Sequence, residues 1–147
     1  MLTNSPVVPG LDGRKMSKSY GNTIELGEEP GSLGAKIKRM YTDPAKLKVD
    51  DKGHPAGCVV FAFHKLYNPA WCRREEECKA GGIGCGACKK HLLELMSVAM
   101  ESFRARRQTL SDTADVEAIL AAGAEKAACA AAKKMALASQ AAGLKGL

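Results

Sequence analysis

Two groups of residues in this 147-residue chain have types and spacings that could do chemistry. The first is Lys15-Met16-Ser17-Lys18-Ser19, set among Gly10, Gly13 and Gly21, with Arg14 adding a third cation. A lysine is a compact charge on a flexible stem, suited to following a phosphate whose charge moves during a reaction. Hydroxyls and loop amides bind phosphate oxygens, and glycine hinges allow closure over a nucleotide. Composition alone reads the same stretch as a solvated basic loop. The second group is Cys58-x19-Cys78-x6-Cys85-x2-Cys88. Gly81, Gly82, Gly84 and Gly86 let the backbone curl so that amides point at sulfur, with Cys58 as a fourth thiolate. Four thiolates suit tetrahedral zinc or an iron–sulfur cluster. Cys72 is a rival fourth ligand, and the plain alternative is a set of free thiols packed beneath a loop. Cys129, on an alanine face, reads as a small core residue.

The elements that must carry these groups are mostly helical. Residues 1–30 are punctuated by Pro6, Pro9, Pro30 and several glycines, which predicts a short strand (Ser5 to Val8) and then a long mobile loop. Ser32 is the expected cap of a helix bearing Leu33, Ile37, Met40 and Tyr41, ended by Thr42-Asp43-Pro44. Lys46 to Gly57 reads as a polar connector. Val59, Val60, Phe63, Leu66 and Tyr67 recur at helical spacing up to Asn68-Pro69. Arg73 to Lys79 predicts a short charged helix halted by Gly81-Gly82, its Glu75-Glu76-Glu77 run a solvated face. Past Cys88 the stripe Leu92, Met96, Ala99, Phe103, Leu110 marks a long amphipathic helix. Asp112 is the expected cap of a last, alanine-rich helix with Val116, Ile119, Leu120, Ala127, Ala131 and Met135 on its inner side. Such a helix has high propensity and little to bury, and it reads as an antiparallel partner helix rather than a coiled coil. The fold class is mainly α: a helical bundle after a strand and loop remnant, with the boundary between 1–30 and 31–147.

Length and composition set the limits. The chain suits one domain and is short for a two-domain enzyme that includes a nucleotide-binding sheet. No apolar run is long enough to span a membrane. The segment before Gly13 lacks the basic flank and apolar centre of a secretory signal. A cytoplasmic, reducing setting follows, in which six cysteines point to metal or catalysis before disulfides. The net charge of +6 and pI near 9.1 are compatible with a nucleic-acid partner.

The order of residues is more specific than the composition. Lys15-Met16-Ser17-Lys18-Ser19 matches the five-residue signature of class I aminoacyl-tRNA synthetases. The flanks Pro9-Gly10-Leu11-Asp12-Gly13-Arg14 and Tyr20-Gly21-Asn22 resemble the tryptophanyl-tRNA synthetases. Tyr41-Thr42-Asp43-Pro44, Phe61-Ala62-Phe63-His64-Lys65-Leu66 and Gly81-Gly82-Ile83-Gly84-Cys85 with Cys88-Lys89-Lys90 extend the resemblance to about residue 120, the alanine-rich tail fitting more loosely. A tyrosine-type synthetase is disfavoured by the segment 81–88.

The resemblance implies that Lys15 and Lys18 contact the phosphates of ATP, supplied with magnesium. It further implies that Lys18 stabilises charge developing as pyrophosphate leaves during activation of tryptophan. Ser17 and Ser19 would assist, and Met16 would anchor the loop by packing. Some family members carry a 4Fe–4S cluster on a pattern whose last two spacings are kept here and whose first is shortened, so Cys58, Cys78, Cys85 and Cys88 are the candidate ligands, with zinc as the alternative. The family implies a homodimer and a helical domain that helps bind the anticodon end of tRNA, for which Lys89, Lys90, Arg104, Arg106 and Arg107 are candidate contacts. Arginines at a helix end are also favourable through the helix dipole alone. Lys36, Lys38 and Arg39 crowd the first helix. The family's nucleotide-binding sheet and its His-x-Gly-His motif are missing: His54, His64 and His91 are the only histidines. This chain is therefore expected not to activate tryptophan alone. The alternative is a stand-alone tRNA- or metal-binding module without catalysis.

Overall fold

The computed structural model describes residues 7–113 and 115–144. Five α-helices are formed, and no strand appears among the described residues. Ser5 and Pro6 of the expected strand lie outside them, and Val7 and Val8 are not in a strand. The one ladder contact is an isolated antiparallel bridge between Pro9 and Lys15. A strand needs a neighbour to take its backbone groups, and among the described residues the loop itself supplies the only one. The chain divides into two compact units, Met1–Arg107 and Gln108–Leu147.

In the first unit, α1 (Pro30–Arg39) starts at proline, two residues ahead of the expected Ser32 cap. Proline's preset φ and missing N–H suit the first helical position, where that N–H has no intrahelical partner. Ser32 instead donates its hydroxyl to Glu28. α2 (Val59–Tyr67) keeps the predicted bounds, since Asn68-Pro69 cannot continue it. α3 (Trp71–Lys79) opens earlier than expected because Asn68 accepts from the Ala70 N–H at 3.0 Å. It ends where Gly81 turns into the left-handed region at φ 77°. A Cβ there would meet the carbonyl of Asp50, so the position is confined to glycine.

α4 (Cys85–Thr113) already includes Cys85 and Cys88, ahead of the stripe expected past Cys88. Its Leu92, Met96 and Met100 join Leu33, Ile37 and Met40 from the α1 segment, Val59, Val60 and Phe63 from α2, and Leu11 from the loop in one buried core. Met100 replaces Ala99 of the predicted stripe, and Phe103 is exposed. Only the first half of α4 has a core to face, so the later apolar positions lose their partner.

The second unit holds the end of α4 and α5 (Val116–Ala141). Asp115, not Asp112, caps α5, accepting from the Ala118 N–H at 2.9 Å. Asp112 lies inside α4 and accepts from Gln108. The expected inner side is not realised: α5 has no buried residue, and Val116, Ile119, Leu120 and Met135 are all exposed. Cys129 is exposed as well, so it is no core residue. Alanine propensity is enough to keep the segment helical without burial. No described helix is long and apolar enough to cross a membrane.

Candidate functional site

The lysine–serine segment is a loop closed by hydrogen bonds between its two ends. The Gly10 N–H donates to the Arg14 carbonyl at 2.6 Å and the Gly13 N–H to the Gly10 carbonyl at 3.0 Å. Gly13 (φ 84°) and Gly21 (φ 60°) take the left-handed turns at its two ends. Lys18–Tyr20 forms a single 3-10 turn. Lys15 and Lys18 are exposed, whereas Met16 is half-buried against the core, as an anchor would be. The hydroxyls of Ser17 and Ser19 share a 2.7 Å hydrogen bond. Arg14 pairs with Asp12 at 2.6 Å and lies over the Tyr20 ring, 4.7 Å from its centre. The Asp12 carboxyl is held down to about 2, first by the Asn22 amide and then by Arg14. At neutral pH the loop therefore presents two exposed lysines from a braced backbone.

The four cysteines of the second motif come from three segments and line one narrow pocket enclosing about 20 Å³. Cys85 and Cys88 sit one turn apart on α4, so the pair owes its common direction to helix geometry rather than to a glycine curl. Cys58 immediately precedes α2 and Cys78 belongs to the last turn of α3. Cys72 is exposed and does not line the pocket. The connector 46–53 folds across Cys78: the Gly53 N–H donates to the Cys78 carbonyl at 2.9 Å, and a Cβ at Gly53 would stand 2.5 Å from Cys78 Sγ. Asp43, Lys46, His54 and Arg74 complete the wall. Asp43 accepts from the backbone of Ala45 and from the backbone and Nδ1 of His54, which hold its carboxyl below the usual range.

Burial pushes the Cys58 and Cys78 thiols up, and Cys88 is pushed up to about 12, with the neighbouring thiols adding to each shift. Among the described residues no three His, Cys, Asp or Glu side chains stand at metal-holding distances. As arranged, burial favours the protonated form of the Cys58, Cys78 and Cys88 thiols. Beside it, buried His64 shares a 3.1 Å hydrogen bond between Nε2 and the Cys88 carbonyl, and Nδ1 faces the Asn68 amide at 3.3 Å. Desolvation lowers its pKa, which keeps the ring neutral, so Nε2 donates and Nδ1 accepts. It is a packed histidine.

Residues 1–101 match the family described as tRNA synthetases class I (W and Y). The chain belongs to that family. It is 42% identical over 113 residues to the tryptophan–tRNA ligase of Aquifex aeolicus, covering 75% of this chain and 29% of that one. It is 38% identical over 146 residues to the tryptophan–tRNA ligase of Thermotoga maritima, covering 92% and 42%. The tryptophanyl-tRNA synthetase of Campylobacter jejuni, solved with ADP and tryptophan, superposes with a TM-score of 0.78 at 31% identity over 94% of this chain and 44% of that one. The chain thus spans well under half the length of the relatives it matches. Its mainly helical architecture is shared with that synthetase structure.

The candidate tRNA contacts of this synthetase chain divide into two sets. Lys89 donates from Nζ to the Lys38 carbonyl at 2.7 Å, and Arg104 from Nη2 to the Ser97 carbonyl at 3.0 Å. The Arg107 guanidinium lies against Gly27. Lys90, Arg106 and Arg107 are exposed. Lys89 and Arg104 are therefore the two shown engaged within the fold. The residue that sequence reasoning passed over is Asn22, which reads as turn chemistry beside Gly21 and is buried instead. No local signal distinguishes it, because its partners lie up to ten positions away.

Proposed function

We propose that this chain is the later part of a tryptophan–tRNA ligase: a phosphate-handling loop within 1–30 and a helical, anticodon-binding domain over 31–147. The match to the Thermotoga maritima ligase over 146 residues carries this reading. In the complete enzyme, which ATP and magnesium would serve in the cytoplasm as a homodimer, a carboxylate oxygen of tryptophan attacks the α-phosphorus of ATP. The bond from that phosphorus to the bridging oxygen breaks, and pyrophosphate departs. Lys15 and Lys18 would hold the phosphates, with Lys18 meeting the charge that grows on the leaving group. Lys90, Arg106 and Arg107 are the more accessible tRNA contacts. The stand-alone tRNA- or metal-binding module is the second reading, favoured by the four cysteines that line one pocket.

The purified 147-residue chain is expected to show no tryptophan-dependent ATP–pyrophosphate exchange. Joined to the nucleotide-binding half of the Thermotoga maritima relative, it is expected to show exchange saturable in both substrates. Exchange by the chain alone contradicts the partial-enzyme reading, and its absence from the joined protein contradicts the ligase reading. Tight tRNA binding by the chain alone supports the stand-alone module.

The thiol pocket is the proposed place for a 4Fe–4S cluster or zinc, with Cys58 rather than Cys72 as the fourth ligand. Convergence of four cysteines from three segments supports this. Any such group would have to draw the thiols closer and displace their protons, since thiolates are the ligands. An anaerobic preparation is expected to contain iron or zinc at about one site per chain, lost on replacing Cys88 with serine. Neither element in the untouched protein overturns the assignment.

A further inference from the structure

Asn22 is 3% exposed, a polar residue buried within the lysine–serine loop. Its Oδ1 accepts from the Ser17 N–H at 2.8 Å, and its Nδ2 donates to Asp12 Oδ1 at 2.9 Å and to the Lys15 carbonyl at 3.1 Å. Its own carbonyl accepts from the Leu11 N–H at 2.9 Å, and the Leu11 carbonyl from the Tyr41 N–H at 2.8 Å. Leu11 is a core residue, so the chain of bonds runs from the loop into the packed interior. A carboxamide offers an acceptor and two donors in one plane, which neither a carboxylate nor a hydroxyl provides. The Gly10 backbone comes so close that a Cβ there would strike the Asn22 amide.

We propose that Asn22 is the positioning residue of the lysine–serine loop: it fixes the backbone on both sides of Met16 so that Lys15 and Lys18 face one polyphosphate together. This rests on the reading of the loop as the ATP-phosphate loop. Ser17 and Lys15 each give Asn22 one backbone group, so their side chains remain outside while their main chain is held. Met16, between them, is pinned from the opposite side by the core. Loss of the amide would leave two lysines on a backbone with no common reference, and each would meet an anion separately.

The test uses the 147-residue chain with Asn22→Ala and, as a second variant, Asn22→Asp. Amide exchange of Ser17, followed by NMR, is expected to accelerate at least about tenfold in both. In Asn22→Asp the new carboxylate also confronts Asp12, so exchanging the two groups (Asn22→Asp with Asp12→Asn) is expected to recover slower exchange by restoring an amide–carboxylate pair. Titration with inorganic tripolyphosphate is expected to shift Lys15 and Lys18 along one saturation curve in the unaltered chain. In Asn22→Ala the two curves are expected to separate and weaken several-fold, while Lys133 and Lys134 on α5 report non-specific binding. Trp71 fluorescence checks that the first unit stays folded. Unchanged Ser17 exchange, or tripolyphosphate curves identical in the variant and the unaltered chain, overturns the assignment. If neither lysine of the unaltered chain responds to tripolyphosphate, the ATP-loop reading falls, and Ser17 exchange alone then decides whether Asn22 holds the loop.

Discussion

Replacing Lys18 with alanine is expected to slow ATP–pyrophosphate exchange by about 10²–10³-fold in an enzyme carrying this chain, the loss typical of one well-placed electrostatic group. The ammonium is exposed on a braced loop, so removing it costs the fold little and the reaction much. Its charge is worth most where charge is growing, on the departing pyrophosphate, so kcat should fall more than KM for ATP rises. Lys18→Arg keeps the charge and alters its shape, and it should recover only part of the rate. Lys15→Ala should raise KM for ATP more than it lowers kcat, because that residue is read as holding phosphates already charged in the ground state. Steady-state exchange at varied ATP measures both. Equal rates for Lys18→Ala and the unaltered enzyme would remove this lysine from the chemistry.

The second large effect is on stability. Leu92 is fully buried, 0% exposed, at the meeting of α1, α2 and α4. Leu92→Ala should cost about 2–5 kcal/mol, the range for a buried leucine that leaves a cavity. Against a total of about 5–15 kcal/mol for an ordinary domain, that is a large share. Leu120 on α5 is 67% exposed, and Leu120→Ala should change stability by less than about 0.5 kcal/mol. The single tryptophan, Trp71, packs edge-on against Phe61 of α2 with centroids 6.4 Å apart, so its fluorescence follows the first unit specifically. Denaturant titration of both variants is the measurement. Midpoints equally displaced for the two substitutions would contradict the burial pattern.

Legibility in the sequence followed how local the deciding interaction was. The bounds of α2 came out residue for residue, because the apolar period and Asn68-Pro69 lie within the helix and its border. The start of α1 was missed by three residues, since Ser32 and Pro30 are both good helix openers and the serine hydroxyl goes to Glu28 instead. On α4 the period predicted Ala99 and Phe103 as inward, but the core ends at Met100. On α5 amphipathic reading failed for a simpler reason. Alanine is helical with or without burial, so its periodicity carries little information about a buried side.

For the candidate sites, residue types and spacing alone determined the lysine–serine loop, the four-cysteine set and the family, because those signals reside in which residues occur and in what order. Tertiary structure decided the rest. It separated Cys58 from Cys72, because Cys58 lines the pocket whereas Cys72 sits on an exposed part of α3. It pushed the Cys58, Cys78 and Cys88 thiols up, because burial is a property of the packed chain. It also gave Asn22 its place, since three hydrogen bonds to residues five, seven and ten positions away exist only once the loop has closed.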